Sequence, residues 1–241
     1  MKKINLSKIT MLILVFFLIF VQGGCGEQKI YYDNGTLQYE GGIQSGEYHG
    51  FGKLFSEDGE LKYEGEFVEG QPQGEGKLFN QGNLSYEGEF LNGNQHGQGR
   101  SFRDDGSLRY EGQFVNGTPE GEGKWYFENG ELWYEGYWRN NNFNGYGTQF
   151  TQGGRIKYQG EHVDGKYYGV GALYFDNGEL NYEGDFVEGL FHGLGLLYNE
   201  NGNLIYEGEF RQGKRHGRGS WYQNGNLVWE GDWIEDRPVY E

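Results

Sequence analysis

From residue 39 onward one short pattern keeps returning, an aromatic residue followed by Glu and Gly. It starts at Tyr39, Tyr63, Tyr86, Tyr110, Tyr134, Tyr158, Tyr182, Tyr206 and Trp229, with Gln159 replacing Glu in one copy. The starts are 23 or 24 residues apart. A fixed period in this range is the mark of a stacked array, in which each unit buries its apolar face against its neighbours. Such an array has no single central core. The length of 241 residues therefore does not imply two ordinary domains, and the repeat occupies residues 29–241 with no second domain left over.

Within one copy, Tyr63, Gly65 and Phe67 alternate with Glu64 and Glu66. Period two predicts a strand with one aromatic and one acidic face. Residues 68–74 are rich in turn formers and read as a loop, and 76–79 as a second strand. The next turn carries Asn34-Gly35, Asp58-Gly59, Asp105-Gly106, Asn129-Gly130, Asn177-Gly178, Asn201-Gly202 and Asn224-Gly225. These pairs supply the positive φ angles of a tight hairpin turn. The expectation is an all-β fold: an elongated antiparallel β-hairpin array, a single-layer twisted meander with two strands per unit. At about 4.8 Å per strand each unit advances about 10 Å, giving a ribbon of roughly 80–90 Å.

The chain has 46 glycines and 3 prolines, but no Gly at every third position, which excludes collagen. Aromatic residues at 18% are too many for a disordered Gly-rich linker. Glycine inside a strand marks the close approach of another group. We therefore expect Tyr and Phe rings of neighbouring units to lie flat over Gly88, Gly97, Gly99 and their equivalents. Valine at Gly99 or Gly208 should collide with a ring.

Tyr206-Glu207-Gly208-Glu209-Phe210, Gly213, His216-Gly217-Arg218-Gly219 and Tyr222 resemble the MORN (membrane occupation and recognition nexus) repeat. The resemblance covers about residues 29–241. It implies an elongated β-hairpin ribbon that mediates protein association, dimerisation or scaffolding, with phospholipid binding in some members. It carries over no catalytic activity, because the kinase or methyltransferase domains that accompany some MORN arrays have no counterpart here.

The amino terminus follows another logic. Lys2 and Lys3 precede an unbroken apolar run over 11–21, then Gly23-Gly24-Cys25. This is the layout of a helical secretory signal peptide over 1–24, and the run is short for a membrane span. Cys25 is the single cysteine, so no internal disulfide can form. Its setting resembles a bacterial lipoprotein lipobox, with Gln22 where that family usually has Leu. The resemblance implies lipidation of Cys25 as the first mature residue, with 25–28 as the linker to the array. A plain secreted protein or an uncleaved anchor is the alternative.

No constellation for catalysis is visible, and no cofactor is implied. The formal net charge of −16 argues against nucleic acid and anionic headgroups as partners. His49, His96, His192 and His216 share one repeat position, about 10 Å apart between adjacent copies and too far for one metal ion. Glutamates 40, 64, 87, 111, 135, 183, 207 and 230 form a ladder, with Lys53, Lys77, Arg100 and Lys124 as partners.

The copies differ in one informative way. Second-strand positions hold Glu75 and Lys77, Gln98 and Arg100, Glu122 and Lys124 early. Later they hold Tyr146 and Thr148, Val170 and Ala172, Leu194 and Leu196. Phe143, Tyr167 and Phe191 occupy one further equivalent site. Stacking predicts an interaction stripe of Phe143, Tyr146, Tyr167, Val170, Phe191, Leu194 and Leu196, unless the array curls to cover it. The function expected is a noncatalytic, membrane-tethered scaffold of the bacterial cell envelope, binding a protein partner or itself. Direct phospholipid recognition is the alternative. Envelope glycan stacking on Trp125, Trp133, Trp138 or Trp221 is a third.

Overall fold

The computed structural model describes residues 27–240. The expected signal peptide and Cys25 lie outside the described residues. The strands begin with β1 (Gln28–Tyr31), β2 (Leu37–Gln44), β3 (Glu47–Phe55), β4 (Leu61–Val68), β5 (Gln71–Asn80) and β6 (Asn83–Leu91). They continue with β7 (Asn94–Phe102), β8 (Leu108–Val115), β9 (Thr118–Tyr126), β10 (Leu132–Arg139), β11 (Asn142–Phe150) and β12 (Ile156–Val163). The last are β13 (Lys166–Tyr174), β14 (Leu180–Val187), β15 (Leu190–Tyr198), β16 (Leu204–Arg211), β17 (Lys214–Gln223), β18 (Asn226–Ile234) and β19 (Arg237–Pro238). Each pairs antiparallel with the strand before and after it, in one 19-stranded sheet. The expected hairpin meander is what the chain forms.

A single sheet has no second layer to bury its aromatic face, yet Tyr39, Tyr86, Tyr110, Tyr134, Tyr158, Tyr182 and Tyr206 are wholly buried. Glycine makes this possible. Gly65 lies opposite Gly76, Gly88 opposite Gly99 and Gly208 opposite Gly219. The tyrosine two residues before the first glycine lies over the pair, so that a Cβ on Gly76 or Gly99 would collide with its phenol. The ring comes from the same unit, not from the neighbouring one. The neighbour supplies a ring edge instead. Phe90 meets Tyr63 and Tyr86 in T-shaped contacts at 5.0 and 5.2 Å, and Phe210 meets Tyr182 and Tyr206 at 5.2 and 5.0 Å. Edge-to-face pairs of this kind add about 0.5–1.5 kcal/mol beyond their burial. The file is continuous from Tyr39 to Trp233.

Each tyrosine hydroxyl has a fixed use. It donates to the carbonyl three residues on: Tyr63 to Glu66 at 3.0 Å, Tyr134 to Tyr137 at 3.1 Å and Tyr206 to Glu209 at 3.1 Å. The ladder shifts register just beyond each glycine pair, between Gly65 and Phe67 for example, and the hydroxyl meets a carbonyl at that irregularity. Burial pushes these phenols up, Tyr206 to about 12.

The two kinds of turn are the reverse of the expectation. The seven-residue loop expected over 68–74 is only Glu69-Gly70, both left-handed at φ 49° and 76°. That is the two-residue turn whose twist suits a hairpin. Gln71 to Gly74 belongs to β5, and the positive φ of Gly74 marks an irregular strand position, not a loop. The Asn-Gly pairs mostly close three-residue turns in which only Gly is left-handed. Gly35 N–H donates to Tyr32 O at 2.9 Å, and Asn34 Oδ1 accepts from Thr36 N at 2.9 Å. Gln81-Gly82 and Asn224-Gly225 are the two-residue exceptions. They fall in the copies starting at Tyr63 and Tyr206, where the next start comes 23 residues on, so turn length explains the uneven period.

The middle copy is irregular in sequence but not in pairing. β12 keeps its partners on both sides. His162 replaces the Phe or Trp of most copies and continues the ring file, 5.4 Å from Tyr134 and 5.0 Å from Tyr158. It is buried, and neither ring nitrogen has a hydrogen-bond partner. Desolvation lowers its pKa to about 4; the nearby backbone of Gly145 and Gly160 opposes this without aligned hydrogen bonds.

Two outcomes follow. Gly99→Val should destabilise by about 3 kcal/mol through overpacking, whereas Tyr63→Phe, which removes only the hydroxyl, should cost about 1–2 kcal/mol; urea titrations distinguish them. His162 stays neutral when folded but protonates near pH 6.5 when unfolded. Its contribution is therefore complete above pH 6.5, is lost as pH falls toward 4, and is flat below. His162→Phe should be more stable and lack about 3 kcal/mol of that acid sensitivity, read from unfolding midpoints across this range.

Candidate functional site

The face opposite the rings is uncovered, and the pairing register sorts it into rows. One row runs Lys29, Glu40, Lys53, Glu64, Lys77, Glu87, Arg100, Glu111, Lys124 and Glu135. Neighbours across the strands thus alternate in sign, the favourable cross-strand arrangement. Lys29 reaches Glu40 at 2.8 Å, Lys53 reaches Glu64 at 3.2 Å and Arg100 reaches Glu87 at 3.4 Å. Tyr126 Oη donates to Glu111 at 2.5 Å. Such exposed pairs contribute about 0–1 kcal/mol each, so the row fixes register more than stability. From Glu75 to Gln159 this face forms an open trough of about 1270 Å³. Glu75, opposite Glu89, is held above the usual carboxylate range by burial first and by Glu89, Glu66 and Glu87 second.

After Glu135 the row changes to Thr148, Gln159, Ala172, Glu183, Leu196, Glu207, Ser220 and Glu230. The cations vanish while the carboxylates persist. Glu64, Glu87, Glu111 and Glu135 are half-buried among their partners, but Glu183 and Glu207 are exposed. In the adjacent row Tyr146 lies opposite Glu161, Val170 opposite Asp185 and Leu194 opposite Glu209. Tyr146, Val170 and Leu194 are 58%, 62% and 67% exposed.

The seven residues expected to share a stripe are divided between the two faces. Tyr146, Val170, Leu194 and Leu196 stand on the outer face. Phe143, Tyr167 and Phe191 stand on the ring face, stacked on Tyr134, Tyr158 and Tyr182 with centroids 4.0, 3.7 and 3.9 Å apart. They are lids that press the tyrosines onto glycine. Tyr48 covers Tyr39 in the same way, and the Arg215 guanidinium lies 5.7 Å from the Tyr206 ring. The tryptophans are also engaged: Trp125 stacks on buried Trp138 at 5.2 Å, and Trp133 meets Phe143 at 5.4 Å. His49, His96, His192 and His216 each precede a left-handed glycine, one per unit, and among the described residues no group of His, Cys, Asp and Glu has metal-binding geometry.

Comparison with protein families matches the MORN repeat at residues 39–60, 63–83, 86–108, 110–131, 134–155, 182–204 and 206–227. The chain belongs to the MORN repeat family. A MORN repeat variant matches residues 25–42, over β1 and the start of β2. The unmatched stretch between 155 and 182 is the copy with Gln159 and His162, which keeps the strand pairing and the Tyr158, Gly160 and Gly171 seat while departing at those two positions. Comparison with curated proteins returned no match. Among the described residues no helix is long and apolar enough to cross a membrane.

The division of the stripe has a direct readout. Val170→Asp and Leu194→Asp, at exposed positions, should leave the unfolding midpoint within about 0.5 kcal/mol. Tyr167→Asp puts a charge against the Tyr158 ring and should cost about 2–4 kcal/mol. Equal costs at all three positions would show that they share one environment.

Proposed function

We propose that this MORN array is a noncatalytic scaffold of the bacterial cell envelope, held to a membrane by lipid on Cys25, that binds a protein partner. The observation that carries the reading is the outer face of β11–β16, where Tyr146, Val170 and Leu194 are exposed and no other part of the described chain packs over them. Exposed apolar side chains in one zone mark an interaction site more often than chance. Support for the tether comes from the apolar run over 11–21 ending in Gly23-Gly24-Cys25. A lipid there would hold the ribbon by its end, leaving both faces free.

A photo-crosslinking residue at Val170, used in intact cells, is expected to capture a discrete protein that the same residue at Tyr167 does not. Cys25→Ser should move the protein from the membrane fraction to the soluble fraction and abolish incorporation of labelled palmitate. The apolar side chains also favour a second reading, direct phospholipid contact, which the carboxylates between them oppose. Flotation of the array lacking residues 1–25 on bare phospholipid vesicles would support that second reading. Neither crosslinking nor flotation would remove both.

A further inference from the structure

We infer that the outer face of β11–β16 takes a basic amphipathic polypeptide segment of another protein, presenting apolar side chains flanked by Lys or Arg. The inference rests on the proposal that this face is an interaction surface, and names what fits it.

The face is a comb of alternating chemistry. The teeth are β11 with Tyr146 and Thr148, β13 with Val170 and Ala172, and β15 with Leu194 and Leu196. Between and beside them lie β12 with Gln159 and Glu161, β14 with Glu183 and Asp185, and β16 with Glu207 and Glu209. Teeth are about 10 Å apart, two strand spacings. A segment laid along β13 or β15 therefore meets an apolar line with carboxylates on both sides.

These carboxylates lack the partners that their equivalents have. Glu64 and Glu87 pair with Lys53 and Arg100, but at the corresponding positions Glu183 lies beside Ala172 and Leu196, and Glu207 beside Leu196 and Ser220. In the two rows no basic residue stands between Lys124 and Arg218. Asp185 and Glu209 are partly engaged, accepting from the backbone of Leu194 at 3.2 Å and Arg218 at 3.1 Å. Glu161, Glu183 and Glu207 are exposed and free to meet cations from outside. Close opposite charges across an interface steer encounter and fix register.

Charge also selects among occupants. A second copy would bring a chain of net charge −16, whose lysines and arginine on this face already alternate with glutamates. An anionic lipid surface would meet like charge. A basic partner with apolar residues satisfies both components of the comb.

The test uses the full-length protein and a labelled short peptide alternating lysine and valine, followed by fluorescence anisotropy. Peptides alternating glutamate with valine, and lysine with serine, are the controls. The lysine–valine peptide is expected to bind and the controls to bind at least about tenfold more weakly. The double variant V170E/L194E should weaken binding by about tenfold or more. E183Q/E207Q should weaken it and flatten its salt dependence. Phe51→Glu should change nothing, although Phe51 is 61% exposed on the same side of the amino-terminal half. Unchanged unfolding midpoints in each variant secure the comparison.

Equal binding of the glutamate–valine peptide, or loss with Phe51→Glu, would overturn the inference. So would binding to phosphatidylglycerol vesicles that V170E/L194E abolishes while the peptide stays unbound, which would assign the face to lipid. Self-association lost in that same variant, again without peptide binding, would assign it to a second copy. A protein crosslinked at Val170 in cells together with no peptide binding would leave the scaffold reading standing and remove only the basic partner.

Discussion

Everything in this fold hangs on a tyrosine ring lying flat on two bare glycines. The pair strips the sheet of side chains where the ring must sit, and the ring replaces the second layer that a sheet ordinarily needs. Three further contacts fix it: the hydroxyl on the carbonyl three residues on, a ring edge from the next unit, and a lid from the following strand. None is strong alone. Together they bury Tyr158 or Tyr182 completely in a structure one sheet thick. Because the ring file consumes one face, chemical variation between units accumulates on the other.

Much of this was legible in the chain itself. The period gave the array, the Tyr-Glu-Gly alternation gave the strand and its two faces, and Gly88 and Gly99 gave a ring seat, whereas Gly97, expected to carry a ring as well, is left-handed and faces the Glu89 carboxylate. The turns were misread because Asn-Gly supports two geometries, and composition does not count the residues between the hydrogen bonds that close a turn. Glu69-Gly70 carries no Asn, yet it takes the tighter form. The stripe was misdrawn for a related reason. With residues 68–74 read as loop, the equivalent positions Phe143, Tyr167 and Phe191 had no strand parity. Phe143 and Tyr146 are three positions apart, an odd offset that places them on opposite faces once both belong to β11. The signal was present, but only a correct strand start releases it.

The alternating row of charge on the amino-terminal half was legible only as a set of plausible partners. Pairing register turns that set into a sequence of neighbours, and so reveals where it stops. Between Glu135 and Thr148 the charge-alternating row of the outer face gives way to one with exposed carboxylates and apolar teeth. The ring file crosses that boundary without interruption, through a histidine that has lost its polar partners to keep its place. The two faces are thereby separated: one is held constant while the other is free to differ.

The one-after-another pairing of the strands has a mechanical consequence. Among the described residues each strand packs extensively only with the strands beside it, so tension applied between the two ends of the ribbon would pass through every hydrogen-bonded rung in series. Under pull, such a ribbon would pay out hairpin by hairpin from its weakest copy, lengthening in small increments while the remaining units kept their shape.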